Sequence, residues 1–473
     1  MSSKHDVEEL YEEITFRDRI ATVDEHGKRN WIYPKKPSGR FFRWRTYVSW
    51  ILLAFLFFSP FIKINGEQLL LLNILERKFV IFGVTFWPQD FHLFVLIMIA
   101  TIVAIFLFTA VYGRIFCGWI CPQTIFMEMV FRKIEYFIEG DAQQQRALNA
   151  QPSTPDKIFK KGVKTGIFYA LSFAISNLFL AYIIGMDALL DIVTSPPSEH
   201  LGGFIAIVLF SGAFFFVFSW FREQACVLVC PYGRLQSVLL DENSVVISYD
   251  FVRGEQRKRY RREDPRTDAG HCVDCHQCVV VCPTGIDIRN GTQLECVNCT
   301  ACIDACDSVM DKVGFPRGLI RYASHKAITT GDTRIVTPRV IGYSSVLLVL
   351  LGVIVFLFFA RADIETTILR APGTLYQLQG EQNVRNLFTL RVVNKTRADL
   401  DIRLKLDAKE GTLSVVGDKK IVALANGLAE SAFFIDLPLS ELDGIKTPIS
   451  ISLYSGDRLL ESVETTFIGP ATQ

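Results

Sequence analysis

Long apolar stretches separated by polar loops dominate the first three quarters of the chain. Five of them are about 20 residues long and nearly free of charge, and they lie at 44–62, 93–112, 165–185, 202–221 and 340–360. About 20 apolar residues are what a helix needs to cross the hydrocarbon core of a bilayer. A buried helix of a soluble protein would explain any one stretch, but five in one chain favour a membrane protein. We therefore predict five transmembrane helices.

The last part of the chain follows another pattern. Short runs of alternating apolar and polar residues, such as 387–393 and 449–454, are separated by turns rich in Gly, Asn and Asp. Alternation with a period of two is typical of half-buried strands, and about 110 residues of them suggest an immunoglobulin-like β-sandwich. The segment 362–473 contains no Cys and no His. We therefore predict a docking or structural domain rather than a catalytic one.

The basic residues beside the predicted spans are unevenly distributed. Arg40, Arg43 and Arg45 lie at the first span and further Lys and Arg lie at 113–164 and 222–339, whereas the loop at 186–201 has none. Lys and Arg collect on the cytoplasmic side of membrane proteins. The N-terminus and the two basic segments are thus predicted to be cytoplasmic, and an odd number of spans puts the C-terminal domain outside. This predicts a multi-pass protein of the bacterial inner membrane with a periplasmic C-terminal domain.

Composition narrows the classes of function. Half of the residues are apolar, 38 are Phe, and the formal net charge is +1, so the overall charge does not indicate a nucleic-acid partner. The chain has neither a GxGxxG after a predicted strand nor a GxxxxGKS or GxxxxGKT sequence, and neither a dinucleotide nor an ATP site is predicted. Electrons for any redox chemistry must then come from a partner or a quinol.

The strongest chemical signal is a duplicated cysteine run, Cys272-x2-Cys275-x2-Cys278-x3-Cys282-Pro283 and Cys296-x2-Cys299-x2-Cys302-x3-Cys306. In bacterial ferredoxins the fourth Cys of each run ligates the other [4Fe-4S] cluster. The spacing therefore predicts one cluster bound by Cys272, Cys275, Cys278 and Cys306, and a second bound by Cys296, Cys299, Cys302 and Cys282. Zinc is the alternative, although a third Cys two residues on fits zinc-ribbon spacing poorly. Asp307 stands where a second Pro would complete the repeat.

The other four cysteines form two shorter motifs, Cys117-Gly-Trp-Ile-Cys121-Pro and Cys226-Val-Leu-Val-Cys230-Pro. A spacing of four puts both thiols of a pair on one face of a helix, which Pro then ends or kinks. Both motifs lie at predicted cytoplasmic ends of spans, so we predict one four-thiol site at the membrane interface. Soft thiolates select Cu(I), zinc or iron–sulfur centres, and copper or a redox-active dithiol is our interpretation. Four buried packing cysteines are the alternative.

These motifs complete the predicted organisation. The fold class is a membrane α-helical protein with an inserted α+β ferredoxin domain carrying two [4Fe-4S] clusters and a C-terminal all-β immunoglobulin-like sandwich. Its segments are a cytoplasmic N-terminal part at 1–43, four transmembrane helices with loops at 44–239, the ferredoxin domain at 240–335, the fifth helix at 336–361 and the sandwich at 362–473.

Twin ferredoxin runs combined with two CxxxCP motifs and an exported sandwich resemble the FixG/CcoG/RdxA family of cytochrome c oxidase accessory proteins. The specific marks are GRIFCGWICPQ at 113–123, CPYGR at 230–234 and FWPQD at 86–90. The resemblance implies a role in the maturation of cbb3-type oxidases through the reduction or handling of copper. Cys117, Cys121, Cys226 and Cys230 would carry that cupric reductase chemistry. Oxidase subunits or copper chaperones and transporters would be the partners.

Two other functions stay open at this point. A membrane ferredoxin subunit that relays electrons between quinol and a periplasmic reductase, similar to those of nitrate or nitrous oxide systems, shares the twin motifs. A non-enzymatic assembly scaffold would dock the oxidase through the sandwich and use the clusters only to sense redox state. The electron donor is unidentified, and a homodimer is an open alternative to a monomer.

Overall fold

The computed structural model describes residues 22, 23, 26, 28–64, 66–74, 78–87, 90–259, 269–373, 375–380, 382–396, 398–407, 410–418 and 420–470. Two compact units are formed by these residues. The described residues of Met1–Ile62, Gln68–Leu75 and Val95–Val353 form unit 1, and those of Lys63–Glu67, Glu76–Phe94 and Ile354–Gln473 form unit 2. The ferredoxin insert therefore belongs to the same unit as most of the apolar helices.

The helices of the described residues are α1 (Arg40–Phe58), α2 (Phe91–Tyr112), α3 (Ile115–Trp119), α4 (Pro122–Ile125), α5 (Arg132–Ile138), α6 (Ala142–Ala150), α7 (Pro155–Ile184), α8 (Met186–Thr194), α9 (Leu201–Phe216), α10 (Pro231–Leu239), α11 (Phe251–Gly254), α12 (Gln277–Val280), α13 (Ala301–Val313), α14 (His325–Thr329) and α15 (Pro338–Phe359). Wider π-helical turns cover Phe126–Phe131, Val217–Phe221 and Ala225–Val229.

Five helices in the described part of the chain are long and apolar enough to cross a membrane, as predicted. They are α1, α2, α7, α9 with its π-helical continuation, and α15. Helix α7 begins at Pro155, ahead of the apolar stretch predicted at 165–185. Pro at the first helical position costs no hydrogen bond, and the Thr154 side chain accepts a bond from Lys157 N. A capped, charged segment therefore extends the apolar span.

Aromatic rings pack the ends of α7 and α9 together in unit 1. Phe131 stacks on Phe218 with centroids 4.7 Å apart and meets Phe168 edge-on at 4.8 Å. Both Phe131 and Phe218 lie in π-helical turns. Rings of this size bury large apolar areas, and their edge-to-face pairs add about 0.5–1.5 kcal/mol each. Part of the unusually high Phe content is thus explained by this core.

The strands that precede the sandwich are short. They are β1 (Lys63–Ile64), β2 (Glu67–Gln68), β3 (Leu70–Asn73), β4 (Lys78–Ile81), β5 (Val84–Phe86), β6 (Val246–Tyr249) and β7 (Ile320–Ala323). Antiparallel pairing of β6 with β7 brings together the two ends of the segment that holds both cysteine runs. Ile247, Met310 and Leu319 form a buried core with Cys272, Cys278 and Cys306. The insert therefore has a small hydrophobic core of its own.

Unit 2 contains the sandwich. Its strands are β8 (Ile364–Arg370), β9 (Gln377–Gln379), β10 (Asn383–Asn394), β11 (Leu400–Leu406), β12 (Thr412–Val415), β13 (Ile421–Ala423), β14 (Leu428–Pro438), β15 (Lys446–Ser455) and β16 (Arg458–Ile468). The described strands make one sheet in the order β12-β14-β10-β8, with β9 on β10, and another in the order β13-β11-β15-β16. Phe388 of β10 faces Phe433 of β14 in the core. The predicted fold class is confirmed.

The FWPQD mark lies in unit 2, where Pro88 and Gln89 are outside the described residues. Asp90 is buried and forms ion pairs with Arg361 at 2.5 Å and Lys395 at 2.7 Å. Burial is the largest single influence and raises the pKa of Asp90, but the two cations together outweigh it, so the pKa is lowered. Asp90 is therefore a structural anion that links the residue before α2 to residues that flank β8 and β10.

Candidate iron–sulfur and thiol site

The two ferredoxin runs share one backbone conformation. Asp274 and His276 adopt positive φ between the cysteines of the first run, and Asn298 and Thr300 do so at the matching positions of the second. Asn, Asp and His tolerate this left-handed region better than most residues. The two loops therefore curl in the same way around their respective thiols, as a duplicated motif should.

The structure gathers the eight ferredoxin cysteines around two cavities. One cavity is lined by Cys272, Cys275, Cys278 and Cys306, and the other by Cys282, Cys296, Cys299 and Cys302 together with Cys278. Each fourth cysteine thus lies with the three cysteines of the other run. Four thiols lining one small apolar cavity are the donor set that a cubane takes, although which cysteine ligates which cluster stays a prediction.

The protonation behaviour of these thiols fits a metal-binding role. Burial raises the pKa of Cys296 to about 12 and that of Cys299 to about 11. Burial also raises the pKa of Cys278 to about 12. A thiolate here is unstable without nearby positive charge, which the irons of a bound cluster would supply.

The fourth cysteines differ in their local structure because only one precedes Pro. After Cys282 the chain turns at Pro283, whereas Cys306 lies inside α13, which continues to Val313. Asp307 accepts a hydrogen bond from Gly318 N at 2.9 Å. The missing Pro therefore lengthens a helix and leaves the Cys306 position intact.

The two groups of cysteines differ in exposure. Cys275 of the first group is exposed, while Cys299 of the second is buried. Cys117 of the first CxxxCP motif lies in one buried core with Cys299, Val297 and Ala301, against which Cys302 packs. The first group therefore has an exposed edge at Cys275, and the second group packs against the first CxxxCP motif.

The prediction that each CxxxCP pair shares one helix face is wrong. Cys117 lies in α3, but α3 ends at Trp119 and Cys121 is extended with ψ 124° before α4 starts at Pro122. Cys226 lies in a π-helical turn and Cys230 is extended with ψ 111° before α10. The residue before Pro is pushed out of the helical region by the proline ring. Both motifs therefore place one thiol on a helical turn and the other at a break.

The structure nevertheless brings the four CxxxCP thiols into one electrostatic neighbourhood. Cys121 and Cys230 both raise the pKa of Cys117, with burial as the larger cause. Burial, followed by the other three thiols, raises the pKa of Cys226 to about 12. Among the described residues no three His, Cys, Asp or Glu side chains surround a single metal-ion position. A single ion bound by these thiols would therefore require them to close in.

The loop between Cys117 and Cys121 touches the second ferredoxin run through its backbone. A Cβ on Gly118 would lie 2.5 Å from Val297 O and 2.6 Å from Asn298 O. Arg45 Nε donates to Gly118 O at 2.6 Å. The sequence marked Gly118 within GRIFCGWICPQ without assigning its role, and the part played by Arg45 was missed. The signal that the sequence offered for Arg45 was a basic residue inside the apolar stretch at 44–62.

Arg114 supports the same junction from the other side. Its Nε donates to Gln236 Oε1 at 2.7 Å, and its Nη1 donates to Leu294 O. The Cys117 thiol donates to the same Gln236 oxygen at 3.6 Å. Arg114 therefore connects α10 and the second ferredoxin run beside Cys117. Arg234, from the CPYGR mark, has a side chain outside the described residues.

A buried charge network, which the sequence did not reveal, lies next to Cys226. Arg222 binds both carboxylate oxygens of Glu135, at 3.0 and 2.5 Å. Arg132 is 1% exposed and pairs with Glu128 at 2.8 Å. Arg29 reaches Glu223 at 2.8 Å. Each buried ion needs such a partner because an unpaired charge there would cost several kcal/mol, on the order of 3–5.

Comparison with known proteins covers most of the chain. Family profiles described as "4Fe-4S dicluster domain", "4Fe-4S binding domain" and "IG-like fold at C-terminal of FixG" match residues 221–325, 91–138 and 354–470. The nitrogen fixation protein FixG of Rhizobium meliloti is 32% identical over 82% of each chain. Proteins RdxA and RdxB of Cereibacter sphaeroides are 34% and 31% identical over 85% and 84% of this chain and 89% and 88% of their own.

Proposed function

Since the chain belongs to the FixG/RdxA family of membrane iron–sulfur electron-transfer proteins, we propose that it assists assembly of cbb3-type cytochrome c oxidase by reducing Cu(II) to Cu(I). The reaction takes one electron per copper ion, and the four CxxxCP thiols receive the ion. The inner bacterial membrane, with the ferredoxin insert cytoplasmic and the sandwich periplasmic, is the proposed location. Oxidase subunits or copper chaperones are the proposed partners.

One observation carries the proposal, namely the shared buried core of Cys117 with Cys299. When bound, the clusters supply single electrons. The exposed Cys275 marks the edge at which a donor can approach, and the second cysteine group lies between that edge and the CxxxCP thiols. Reduction of one Cu(II) to Cu(I) takes one electron, which a bound cluster would supply. Because thiolates are soft ligands, they favour the reduced ion as product.

A cavity beside Cys226 adds donors suited to copper. Met127 lines it together with Thr124, Glu128 and Glu223, and Thr284 of the ferredoxin insert closes it. Met127 is buried, and its thioether is a soft ligand of the kind that selects Cu(I). Glu128 and Glu223 are held in ion pairs with Arg132 and Arg29. The cavity therefore places a second soft ligand, Met127, beside Cys226.

The test is the double variant Cys121→Ala/Cys230→Ala in purified full-length protein. We expect about eight irons per chain to remain, because two cubanes carry four each and none of their predicted ligands changes. Copper binding and Cu(II) reduction by the chemically reduced protein should be lost. Retained reduction with eight irons would move the chemistry away from these thiols.

A matched pair of methionine variants tests the thioether. Met127→Leu should weaken Cu(I) binding severalfold, whereas Met98→Leu, on the exposed side of α2, should have no effect. Equal affinities in the two variants would remove Met127 from the copper site.

One observation favours a second candidate for the four thiols. The "4Fe-4S binding domain" match at 91–138 contains no cysteines other than Cys117 and Cys121. An iron–sulfur centre held by the two CxxxCP motifs would relay electrons onward and would raise the iron content to about twelve if it is a third cubane. In that case the double cysteine variant would lose about four irons, which copper handling would not predict.

A further inference from the structure

A cavity of about 430 Å³ opens in unit 1 where the N-terminal segment meets α1 and α5. Its volume is in the range of small-molecule sites, roughly 300–1,000 Å³. It contains none of the twelve cysteines, and it shares Arg45 with the Gly118 contact and Glu128 with the cavity beside Cys226. Its lining is unusually basic for a cavity next to a membrane span, and consists of Lys36, Pro37, Phe42, Arg45, Glu128, Lys133, Tyr136 and Phe137.

The charges on the wall do not balance. Lys36, Arg45 and Lys133 face one carboxylate, Glu128, and that carboxylate already pairs with Arg132 at 2.8 Å. Burial lowers the pKa of Lys133, and the charges of Arg45 and Lys36 lower it further. Three cations around a common space create a positive potential, and an anion inside the cavity would relieve it.

Arg45 gives an independent indication of a ligand. Its side chain is 3% exposed, and its Nε is occupied by Gly118 O at 2.6 Å. Its Nη2 is buried and has no hydrogen-bond partner among the described residues. A buried charged donor without a partner costs free energy, which an anionic acceptor within its reach would recover, and Arg45 is among the residues that line the cavity.

We propose that this cavity binds the phosphate of an anionic phospholipid headgroup. Phe42 and Arg45 lie in the first two turns of α1, so the cavity is at the end of a predicted span. Phe137 on its rim has a 91% exposed ring, as is usual for aromatic side chains at a membrane interface. Basic pockets at this level of a membrane protein are suited to anionic headgroups. Inorganic phosphate in solution carries the same anionic group, and the experiment below distinguishes it from a lipid headgroup.

The experiment uses full-length protein in detergent, stripped of lipid and titrated with phosphatidylglycerol while bound lipid is counted by native mass spectrometry. Lys36→Gln/Lys133→Gln should weaken binding about 25-fold, because each lysine near a headgroup contributes about fivefold. Lys160→Gln/Lys312→Gln makes the same charge change outside the cavity and should bind as the wild type does. Iron content, which the cavity does not affect, confirms that each variant has folded.

A second variant tests the unpartnered donor. Arg45→Lys keeps the charge but removes the forked guanidinium, and should weaken phosphatidylglycerol binding severalfold. Unchanged binding in the double lysine variant, or equal binding of zwitterionic phosphatidylcholine, would overturn the proposal. Competition by inorganic phosphate at the same concentration would overturn the lipid assignment. None of these outcomes depends on copper reduction, so the proposal can fail while the proposed function stands.

Discussion

Because Gly118 has no side chain, the backbone of the CxxxCP loop can approach the backbone of the second ferredoxin run closely. The Cα of Gly118 faces the carbonyl oxygens of Val297 and Asn298, which are backbone atoms and cannot rotate away. The close approach is what allows Cys117 to share a core with Cys299. Only glycine permits this contact, because any Cβ would overlap both carbonyls.

We therefore predict that Gly118→Ala separates the CxxxCP loop from the second ferredoxin run. The expected cost in the free energy of unfolding is about 1–3 kcal/mol, typical of overpacking. Under the proposed function, Cu(II) reduction should fall while iron content stays close to the wild type, as measured by metal analysis and a single-turnover assay. Gly212→Ala, where a Cβ would meet nothing within 4 Å, is the matched control and should be neutral.

Among the elements, α1 depends on the ferredoxin insert for its N-terminal cap. Gly39 provides no side-chain cap, and the first turn of α1 contains no acidic residue. Asp304 of α13 supplies both missing acceptors, since Phe41 N donates to its Oδ1 at 3.1 Å and Phe42 N to its Oδ2 at 2.8 Å. A carboxylate at a helix N-terminus also interacts favourably with the helix dipole. A membrane span is thus fastened to the helix that carries Cys306.

Replacing that carboxylate should loosen the span from the insert. Asp304→Ala is expected to lower stability by about 0.5–2 kcal/mol, the usual range for loss of an N-cap. The loss of the cluster absorbance on heating measures it, and the midpoint should fall. Asp311→Ala on the same helix removes an exposed ion pair with Arg317, which is worth little. A similar fall in both variants would contradict a specific cap.

For the whole molecule, the testable property is the side of the membrane on which each domain lies. Basic residues flank the first span and fill the insert, which predicts a cytoplasmic insert and an exported sandwich. A reporter that is active only outside the cytoplasm should work when fused after Gln473 and fail when fused near Asp268. Both fusion points lie outside the described residues. The reverse pattern would invert every compartment assigned here.

Local regularities along the chain determined the elements and the chemistry. Apolar length predicts the five spans, a period of two predicts the sandwich, and the spacing of eight cysteines predicts two cubanes, because each of these depends on residues close together in sequence. The prediction that each CxxxCP pair shares one helix face was wrong. A spacing of four assumes a continuous helix, but Pro122 and Pro231 force the preceding cysteines into an extended conformation.

What only the tertiary structure decided is how these parts meet. Three contacts show this: Gly118 meets Asn298, Asp304 caps α1, and Arg222 pairs with Glu135. The hydrogen-bonded residues are 263 positions apart in the cap and 87 positions apart in the ion pair. No periodicity or spacing reports such pairs. They arise because buried backbone groups and charges must find partners wherever the fold places them. The packing of Cys117 against Cys299 therefore follows from the tertiary structure and not from any motif.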